Sequence, residues 1–199
     1  MIEARDLGVE RAGRVLLKAL SFTAGPGEAL LVRGANGCGK SSLLRVIAGL
    51  LPPAGGELFW NRMPLDTRTR GTTCLYLGHD PGFRPELTAR ENLVLAASLD
   101  GASCPDPDRV LARVGLAARR HAPFGRLSAG QRRRVALARM TISPRPLWIL
   151  DEPATSIDAE GVALLGEILR RSLEAGNTII VATHDAIDIP EAAVRPLAL

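Results

Sequence analysis

Residues 34–41 combine glycines with a lysine and a serine in an order suited to holding phosphate groups. They are Gly34, Ala35, Asn36, Gly37, Cys38, Gly39, Lys40 and Ser41, which fit the pattern G-x-x-x-x-G-K-[ST]. The glycines let successive backbone N–H groups point at phosphate oxygens, while Lys40 supplies a positive charge and Ser41 a hydroxyl for Mg²⁺. The segment predicts a nucleoside triphosphate site that takes Mg²⁺. The alternative is a glycine-rich turn with an incidental lysine.

The elements predicted around this loop agree with a phosphate site. Residues 30–32 form an apolar run of strand length, and residues 42–50 fit a helix with Leu43, Leu44, Ile47 and Leu50 on one side. A strand, a glycine loop and a helix in this order place the phosphates at a helix N-terminus, whose dipole favours negative charge. We therefore expect Ser42 to belong to the nucleotide site as well.

A pair of carboxylates, Asp151 and Glu152, directly follows a second apolar run at residues 147–150. Ligands of parallel sheets collect beyond the carboxyl ends of the strands, which is where this pair would lie. Asp151 would hold Mg²⁺ directly or through water, and Glu152 could accept a proton from an attacking water molecule. The alternative is an ordinary acidic turn at the end of a strand.

One further segment has the composition of a helix start with free backbone donors: Ser128, Ala129, Gly130 and Gln131. Ser128 is a good N-cap, and the small residues after it leave N–H groups unobstructed, which predicts a second anion site. Residues 132–134 are all arginine and would attract phosphate to it. Taken alone, the segment also fits an ordinary capped helix with a solvated basic face.

Apolar periodicity along the rest of the chain predicts an α/β fold. Candidate strands lie at 2–9, 15–22, 57–60, 72–77, 147–150 and 178–182, and candidate helices at 88–99, 106–116, 128–142 and 159–173. The first two strands indicate an N-terminal antiparallel β layer, whereas the later alternation of strands and helices predicts a mainly parallel sheet. We expect one domain over residues 1–199, with a helical subdomain at about 86–142.

Composition narrows the possible functions. The net charge is +4, but all except two of the 25 basic residues are arginines scattered along the chain without interleaved aromatic residues, so we expect no nucleic-acid partner. No run approaches the ~18 apolar residues of a membrane span, and the N-terminus does not resemble a signal peptide. Three cysteines without metal-binding spacing favour a reducing cytosol.

Together these motifs resemble those of the nucleotide-binding subunits of ABC transporters, over the whole length of the chain. Residues 34–41 match the Walker A loop of that family, residues 147–152 its Walker B strand, and residues 127–131 (LSAGQ) its LSGGQ signature with Ala129 in place of a glycine. Asp158 lies in a segment similar to the D-loop, and His184 in one similar to the switch-histidine segment. The resemblance implies a P-loop NTPase fold of the RecA-like type.

The resemblance also implies a mechanism, in which an ATP-dependent head-to-tail homodimer closes on two ATP molecules. The Walker A loop of one chain would face the signature segment (residues 128–131) of the other, and Asp158 would link the two sites. His184 would hydrogen-bond the outer phosphate and position the attacking water and Glu152.

Two positions depart from the family pattern. His79 stands where the family usually has a glutamine that touches Mg²⁺ and senses the transporter, and we expect His79 to take over this catalytic and metal-binding role. Arg11 stands where the family stacks an aromatic side chain on adenine. A guanidinium plane can also stack on a base, but more weakly and less selectively, so the preference for ATP over GTP stays open.

Longer strings at residues 78–93, 127–139 and 147–162 are similar to the haem exporter ATPases of cytochrome c maturation, which also carry histidine in place of that glutamine. This resemblance implies integral membrane subunits of the cytochrome c maturation complex as partners, and a peripheral position on the cytoplasmic face of the bacterial inner membrane. Phe83 is a candidate contact for such a partner. No direct haem binding is expected, because the chain has no CxxCH motif.

Two alternatives remain open. One is an ABC transporter ATPase with another cargo, and the other is a soluble ABC-type ATPase that acts on DNA or ribosomes. The stretch between His79 and Ser128 is too short for the long coiled coil of chromosome and repair ATPases, and the chain holds one cassette where translation-type members hold two. These features favour the membrane-coupled ATPase.

Overall fold

The computed structural model describes residues 1–184, 187–190 and 193–199. In chain order its strands are β1 (Ile2–Arg11), β2 (Arg14–Ala24), β3 (Ala29–Arg33), β4 (Gly55–Trp60), β5 (Met63–Pro64), β6 (Cys74–Leu77), β7 (Leu147–Asp151), β8 (Thr178–Ala182) and β9 (Val194–Ala198). Its α-helices are α1 (Lys40–Ala48), α2 (Thr67–Thr73), α3 (Ala89–Leu99), α4 (Pro107–Arg113), α5 (Ala129–Ile142) and α6 (Ala159–Glu174). Short 3₁₀ turns occupy Ala117–Arg119 and Phe124–Arg126.

The strands form two sheets, as the sequence pattern predicts. The antiparallel sheet has the order β2-β1-β4-β5, and the parallel sheet has the order β6-β7-β8-β3-β9. Every neighbouring pair in the second sheet is parallel, so the carboxyl ends of its five strands meet along one edge. This edge is where the loops after β3, β7 and β8 come together.

Alternate residues of the parallel strands contribute to two hydrophobic cores on opposite faces. Leu147 and Ile149 of β7 face α1 and the antiparallel sheet, whereas Trp148 and Leu150 face α3, α5 and α6. All four side chains are buried. Burial on both faces explains why β7 reads as a continuous apolar run rather than an alternating one.

Two helices of the predicted subdomain begin with reciprocal capping boxes. At the start of α3 the Thr88 hydroxyl accepts a hydrogen bond from the Glu91 N–H, and the Glu91 carboxylate accepts one from the Thr88 N–H. Ser128 and Gln131 repeat this arrangement at the start of α5. Such boxes satisfy backbone donors that a helix start leaves free. Helices α3, α4 and α5 pack against one another.

Three details differ from the sequence prediction. Residues 72 and 73 belong to α2 rather than to a strand, because the Asp66 side chain accepts a hydrogen bond from the Thr69 N–H and starts a helix there. Helix α1 ends at Ala48, since Gly49 has a left-handed backbone (φ 78°), and Leu50 is therefore 62% exposed instead of buried. The sequence pattern also does not predict β9, an edge strand that contains a proline, as edge strands tolerate.

None of the helices within the described ranges combines the length and apolar character needed to cross a bilayer.

Candidate nucleotide-binding site

A cavity of about 380 Å³ opens at the carboxyl edge of the parallel sheet. It lies where β3 leads through residues 34–41 into α1, where β7 ends, and where the chain leaves β8. Its lining residues come from four separate parts of the chain: Arg11, Ala12, Leu16, Asn36, Gly37, Gly39, Lys40, Ser41, Ser42, Glu152 and His184. All of these except Ala12 and Leu16 are predicted site residues, so the structure brings nine of the predicted residues to one cavity.

The loop of residues 34–41 is shaped by its glycines and held by its lysine. Gly37 and Gly39 have φ values of 82° and 114°, which residues with a Cβ adopt only with strain. The Lys40 ammonium donates hydrogen bonds to the carbonyl oxygens of Gly34 at 2.8 Å and Ala35 at 3.2 Å. The positive charge is thus held inside the loop, next to the N-terminus of α1, where an anion would meet both.

The first residue of this loop has no room for a side chain. A Cβ on Gly34 would lie 2.6 Å from the Sγ atom of Cys38 and 3.2 Å from the carbonyl oxygen of Leu199. The Leu199 N–H in turn donates to the carbonyl oxygen of Arg33 at 2.9 Å. Strand β9 and the residue that follows it therefore support the phosphate loop from behind, and the half-buried Cys38 packs within the loop.

Ser41 and Asp151 form a pair that fits a metal ion. The Ser41 hydroxyl donates a hydrogen bond to Asp151 Oδ1 at 3.0 Å, which joins the start of α1 to the buried end of β7. A hydroxyl and a carboxylate beside phosphate groups are the donor types with which proteins hold Mg²⁺ on a nucleotide. Ser41 and Asp151 are therefore the residues that would hold Mg²⁺, and the chemistry it would supply is to offset the negative charge that builds up during phosphoryl transfer.

Glu152 and His184 lie next to each other on the wall of the same cavity. The His184 backbone N–H donates to Glu152 Oε2 at 3.3 Å, and His184 Nε2 lies 3.7 Å from Glu152 Oε1. Glu152 has a left-handed backbone (φ 49°), which is rare for a residue with a side chain and is often found at functional sites. Its N–H donates to the carbonyl oxygen of Ala182 at 2.8 Å, so the turn is anchored on β8. A carboxylate in this position can act as a general base.

A further part of the cavity wall is formed by the end of β1, the turn that follows it and the start of β2. Arg11 is exposed at the end of β1, and the cavity continues over Ala12 and Leu16. Leu16 lies against Gly39, where an added Cβ would come within 3.3 Å of the leucine Cβ. The sequence motifs do not predict Ala12 or Leu16 as site residues. The sequence feature that could have identified Leu16 is its apolar side chain in the strand after Arg11.

The structure does not bring the signature segment to the phosphate cavity of its own chain. Ser128 and Ala129 are exposed, and the first N–H groups of α5 lie away from residues 34–41, which line a different cavity. Gly130 packs so closely that an added Cβ would lie 2.8 Å from the carbonyl oxygen of Ser156. The segment is thus fixed within the chain but free to meet an anion from outside it.

Asp158 joins the signature helix to α6. It caps α6 by accepting a hydrogen bond from the Gly161 N–H at 3.0 Å, and it accepts another from Arg134 Nη2 at 2.7 Å. Both hydrogen bonds lower the pKa of Asp158, and the one from the Gly161 N–H has the larger effect. Its side chain otherwise stays largely exposed, beside the segment that is predicted to contact a second subunit.

His79 is not among the residues that line the phosphate cavity. It is exposed and lies in a neighbouring cleft of about 550 Å³, whose other walls include Phe124, Ala129 and Arg133. Its contact with Mg²⁺ therefore stays a prediction that requires this loop to move. Phe83 lines the same cleft, where it is half-buried and packs edge-on against Phe124 with ring centroids 5.1 Å apart, and its contact with a partner stays a prediction.

The three arginines after the signature segment do not form an open basic face. Arg132 Nη2 donates to the carbonyl oxygen of Gly125, Arg134 pairs with Asp158, and Arg133 is buried with two backbone carbonyls as acceptors. The expectation that they attract phosphate to the signature segment stays a prediction. Their hydrogen bonds connect α5 to surrounding loops, which no pattern of charge along the chain reveals.

Comparison with known proteins agrees with this geometry. Residues 17–155 match the ABC transporter family. Cytochrome c biogenesis ATP-binding export protein CcmA 1 of Salmonella paratyphi A is 46% identical over 202 aligned positions, which cover 100% of this chain and 97% of that protein. The protein CcmA of Chelativorans sp., which carries the same description, is 44% identical over 92% of this chain and 91% of its own length.

Solved structures resemble the chain in three dimensions. The ATP-binding cassette MJ0796, in a dimeric post-hydrolysis state bound to ADP and Pi, has a TM-score of 0.81 at 25% identity, over 93% of this chain and 88% of its own. An ATP-binding subunit of an ABC transporter has a TM-score of 0.83 at 27% identity, over 92% and 79%. The chain therefore belongs to the ABC transporter family, in the group that contains the cytochrome c biogenesis ATP-binding export proteins.

Proposed function

We propose that this chain is the ATP-hydrolysing, energy-coupling subunit of a membrane complex in c-type cytochrome maturation. The proposal rests mainly on two pairs of side chains that lie beside the same glycine loop. Ser41 and Asp151 are suited to hold Mg²⁺, and Glu152 and His184 are suited to activate and position the attacking water molecule. The similarity to CcmA proteins over the whole chain supports the process in which the ATPase acts.

In this proposal each site residue has a defined part. The backbone of residues 34–41, Lys40 and Ser42 hold the phosphates, and Arg11 contacts the base. Glu152 accepts the proton of the attacking water, and His184 donates a hydrogen bond to the outer phosphate. His79 would approach the metal site when its loop moves inwards.

The second half of each site would come from another copy of the chain. The exposed start of α5 supports this arrangement, because Ser128 and Ala129 do not line the phosphate cavity of their own chain. The dimeric state of the related cassette MJ0796 also supports it. We therefore propose a head-to-tail homodimer that forms with ATP, in which residues 128–131 contact the nucleotide of the partner subunit and Asp158 links the two sites.

Integral membrane subunits would hold this dimer at the cytoplasmic face of the inner membrane. Two large apolar side chains, Leu50 and Leu99, are 62% and 69% exposed. Leu50 lines a cleft of about 590 Å³ that also contains Arg70 and Arg145, and the Leu99 carbonyl accepts a hydrogen bond from Arg145 Nη2. We propose that an apolar segment of a membrane subunit occupies this cleft, where it would cover both leucines.

Placing a charge on this surface tests the docking site. Leu50→Glu combined with Leu99→Glu is expected to lower co-purification with membrane subunits at least ~10-fold, because each carboxylate would lose its hydration in an apolar contact, and pairing with Arg70 or Arg145 would offset only part of that cost. Binding of ATP to the purified chain should stay unchanged. Met63→Glu, on the equally exposed Met63 of the antiparallel sheet, is the matched control and should co-purify normally. Equal recovery of the double variant and the control would contradict the placement.

A deletion strain tests the process. Without the chain, covalently attached haem on c-type cytochromes should be lost, and the unaltered chain should restore it whereas Glu152→Gln should not. Normal c-type cytochromes in the deletion strain would contradict a role in cytochrome c maturation. They would favour an ABC transporter ATPase with another cargo. Co-purification with ribosomes or DNA, and with no membrane subunit, would favour a soluble ABC-type ATPase instead.

A further inference from the structure

A single buried guanidinium connects the catalytic turn to the loop that contains His79. Arg133 lies near the start of α5 and is only 5% exposed. Its Nη1 donates to the carbonyl oxygen of Gly78 at 2.9 Å, and its Nη2 donates to the carbonyl oxygen of Glu152 at 2.6 Å. Gly78 immediately precedes His79. One planar side chain thus spans the ends of β6 and β7.

The turn at Glu152 needs such an anchor because its backbone is in an unfavourable conformation. Its φ of 49° is rarely adopted by a residue with a side chain. Two neutral backbone contacts help to hold it: the Glu152 N–H donates to Ala182, and the Thr155 N–H donates to the Glu152 carbonyl at 3.2 Å. The bond from Arg133 to the same carbonyl is shorter and comes from a charged donor, which makes it the stronger of the two.

Burying the charged side chain of Arg133 in the core also costs free energy of desolvation. Burial lowers the pKa of its guanidinium, and the nearby carboxylates of Asp151 and Glu152 partly counter this effect. A buried charge is tolerated when its hydrogen bonds are satisfied, and an apolar side chain of similar size would fill the same space without that requirement. What an apolar side chain could not do is hold two carbonyl groups of different loops in one plane.

From this geometry we infer that Arg133 is a positioning residue for hydrolysis, which directs the Glu152 carboxylate into the cavity through the Glu152 backbone. The inference rests on the proposed role of Glu152 as general base. Because Arg133 belongs to α5, which begins with the signature segment, a displacement of α5 relative to the parallel sheet would shift the Glu152 carbonyl. When the signature segment contacts the partner subunit's nucleotide, the resulting shift of α5 would therefore change the position of Glu152 in the same chain. The loop that contains His79 would move as well, because Arg133 also bonds Gly78.

Steady-state kinetics of the complex purified with its membrane subunits tests this role. Arg133→Met is expected to lower kcat by about 10- to 100-fold, the range usual for residues that orient a catalytic group, while the KM and the Kd for ATP change less than about threefold. Arg133→Lys should recover part of the loss, because an ammonium can reach one of the two carbonyls. The matched control is Arg170→Met, since Arg170 is an exposed arginine of α6 whose guanidinium pairs with Glu174.

A double variant separates positioning from general stabilisation. Combined with Glu152→Gln, Arg133→Met should cause no further loss of hydrolysis, because both changes act on the same group. An unchanged kcat, a KM that rises as much as kcat falls, or fully additive losses would each overturn the inference. If Arg133→Met shows no cooperative thermal unfolding, Arg133→Lys and Arg133→Gln serve for the same comparison, since each keeps a donor for one carbonyl.

The same measurements distinguish failure of this inference from failure of the proposed function. A parent complex without ATPase activity, or a Glu152→Gln complex that turns over at the parental rate, overturns the role of Glu152 and the inference with it. An active parent whose hydrolysis depends on Glu152 but not on Arg133 overturns the inference alone.

Discussion

Replacing Glu152 by glutamine is expected to lower kcat for ATP hydrolysis by ~10²- to 10⁴-fold while ATP still binds. An amide cannot take the proton of the attacking water, but it has nearly the shape of the carboxylate. Its oxygen can still accept the hydrogen bond from the His184 N–H, and the backbone bonds of residue 152 to Ala182 and Arg133 do not involve the side chain. The nucleotide-bound dimer should therefore form and persist.

Two measurements check this prediction. Phosphate release under saturating MgATP reports kcat, and size-exclusion chromatography in the same buffer reports the dimer. Glu174→Gln is a suitable control, because Glu174 is an exposed carboxylate at the far end of α6 whose ion pair is with Arg170 on the same helix. Turnover at the parental rate in Glu152→Gln would remove this residue as the base.

Loss of the Lys40 ammonium should have the largest effect on binding. In Lys40→Ala we expect the affinity for ATP to fall at least about 100-fold, because charge-assisted hydrogen bonds to the outer phosphates are lost and each ~1.4 kcal/mol corresponds to a factor of ten. The variant also loses the bonds from Lys40 to Gly34 and Ala35 that hold the loop in place. Hydrolysis should disappear with binding.

A thermal shift assay tests this expectation together with direct titration. A ligand that binds only the folded chain raises its unfolding temperature, so MgATP should stabilise the parent and not Lys40→Ala. The chain has one other lysine, Lys18, which is exposed on β2, and Lys18→Ala should behave as the parent does. Equal stabilisation of Lys40→Ala and the parent by MgATP would show that the phosphates bind elsewhere.

The sequence by itself was sufficient for the elements that local interactions decide. The glycine loop before α1, the Ser128 cap of α5 and the apolar strand that ends at Asp151 are found where their patterns predict them. Turn conformation, helix capping and burial on both faces of a strand depend on residues a few positions apart, so their signals can be read along the chain.

Local patterns failed where a neighbour in space overrides them. Leu50 is a separate case, because it continues the apolar spacing of α1 but a local signal, the left-handed Gly49, ends the helix and leaves this leucine on the surface. Strand β9 carries a weak strand signal and forms because β3 offers it a parallel partner along Val194–Ala198. Phe83 has the character of a docking residue, and only the structure shows that it also packs edge-on against Phe124.

The sequence of this chain determined which groups are available for chemistry, namely a phosphate loop, two carboxylates, a capped helix and a histidine. Only the tertiary structure decided which of them meet: Ser41 bonds Asp151 across 110 residues of chain, and Arg133 bonds Gly78 across 55, while His79 lies in a separate cleft. The physical reason is that strand order and packing set these distances. Contacts between residues so far apart leave no periodic trace in the sequence.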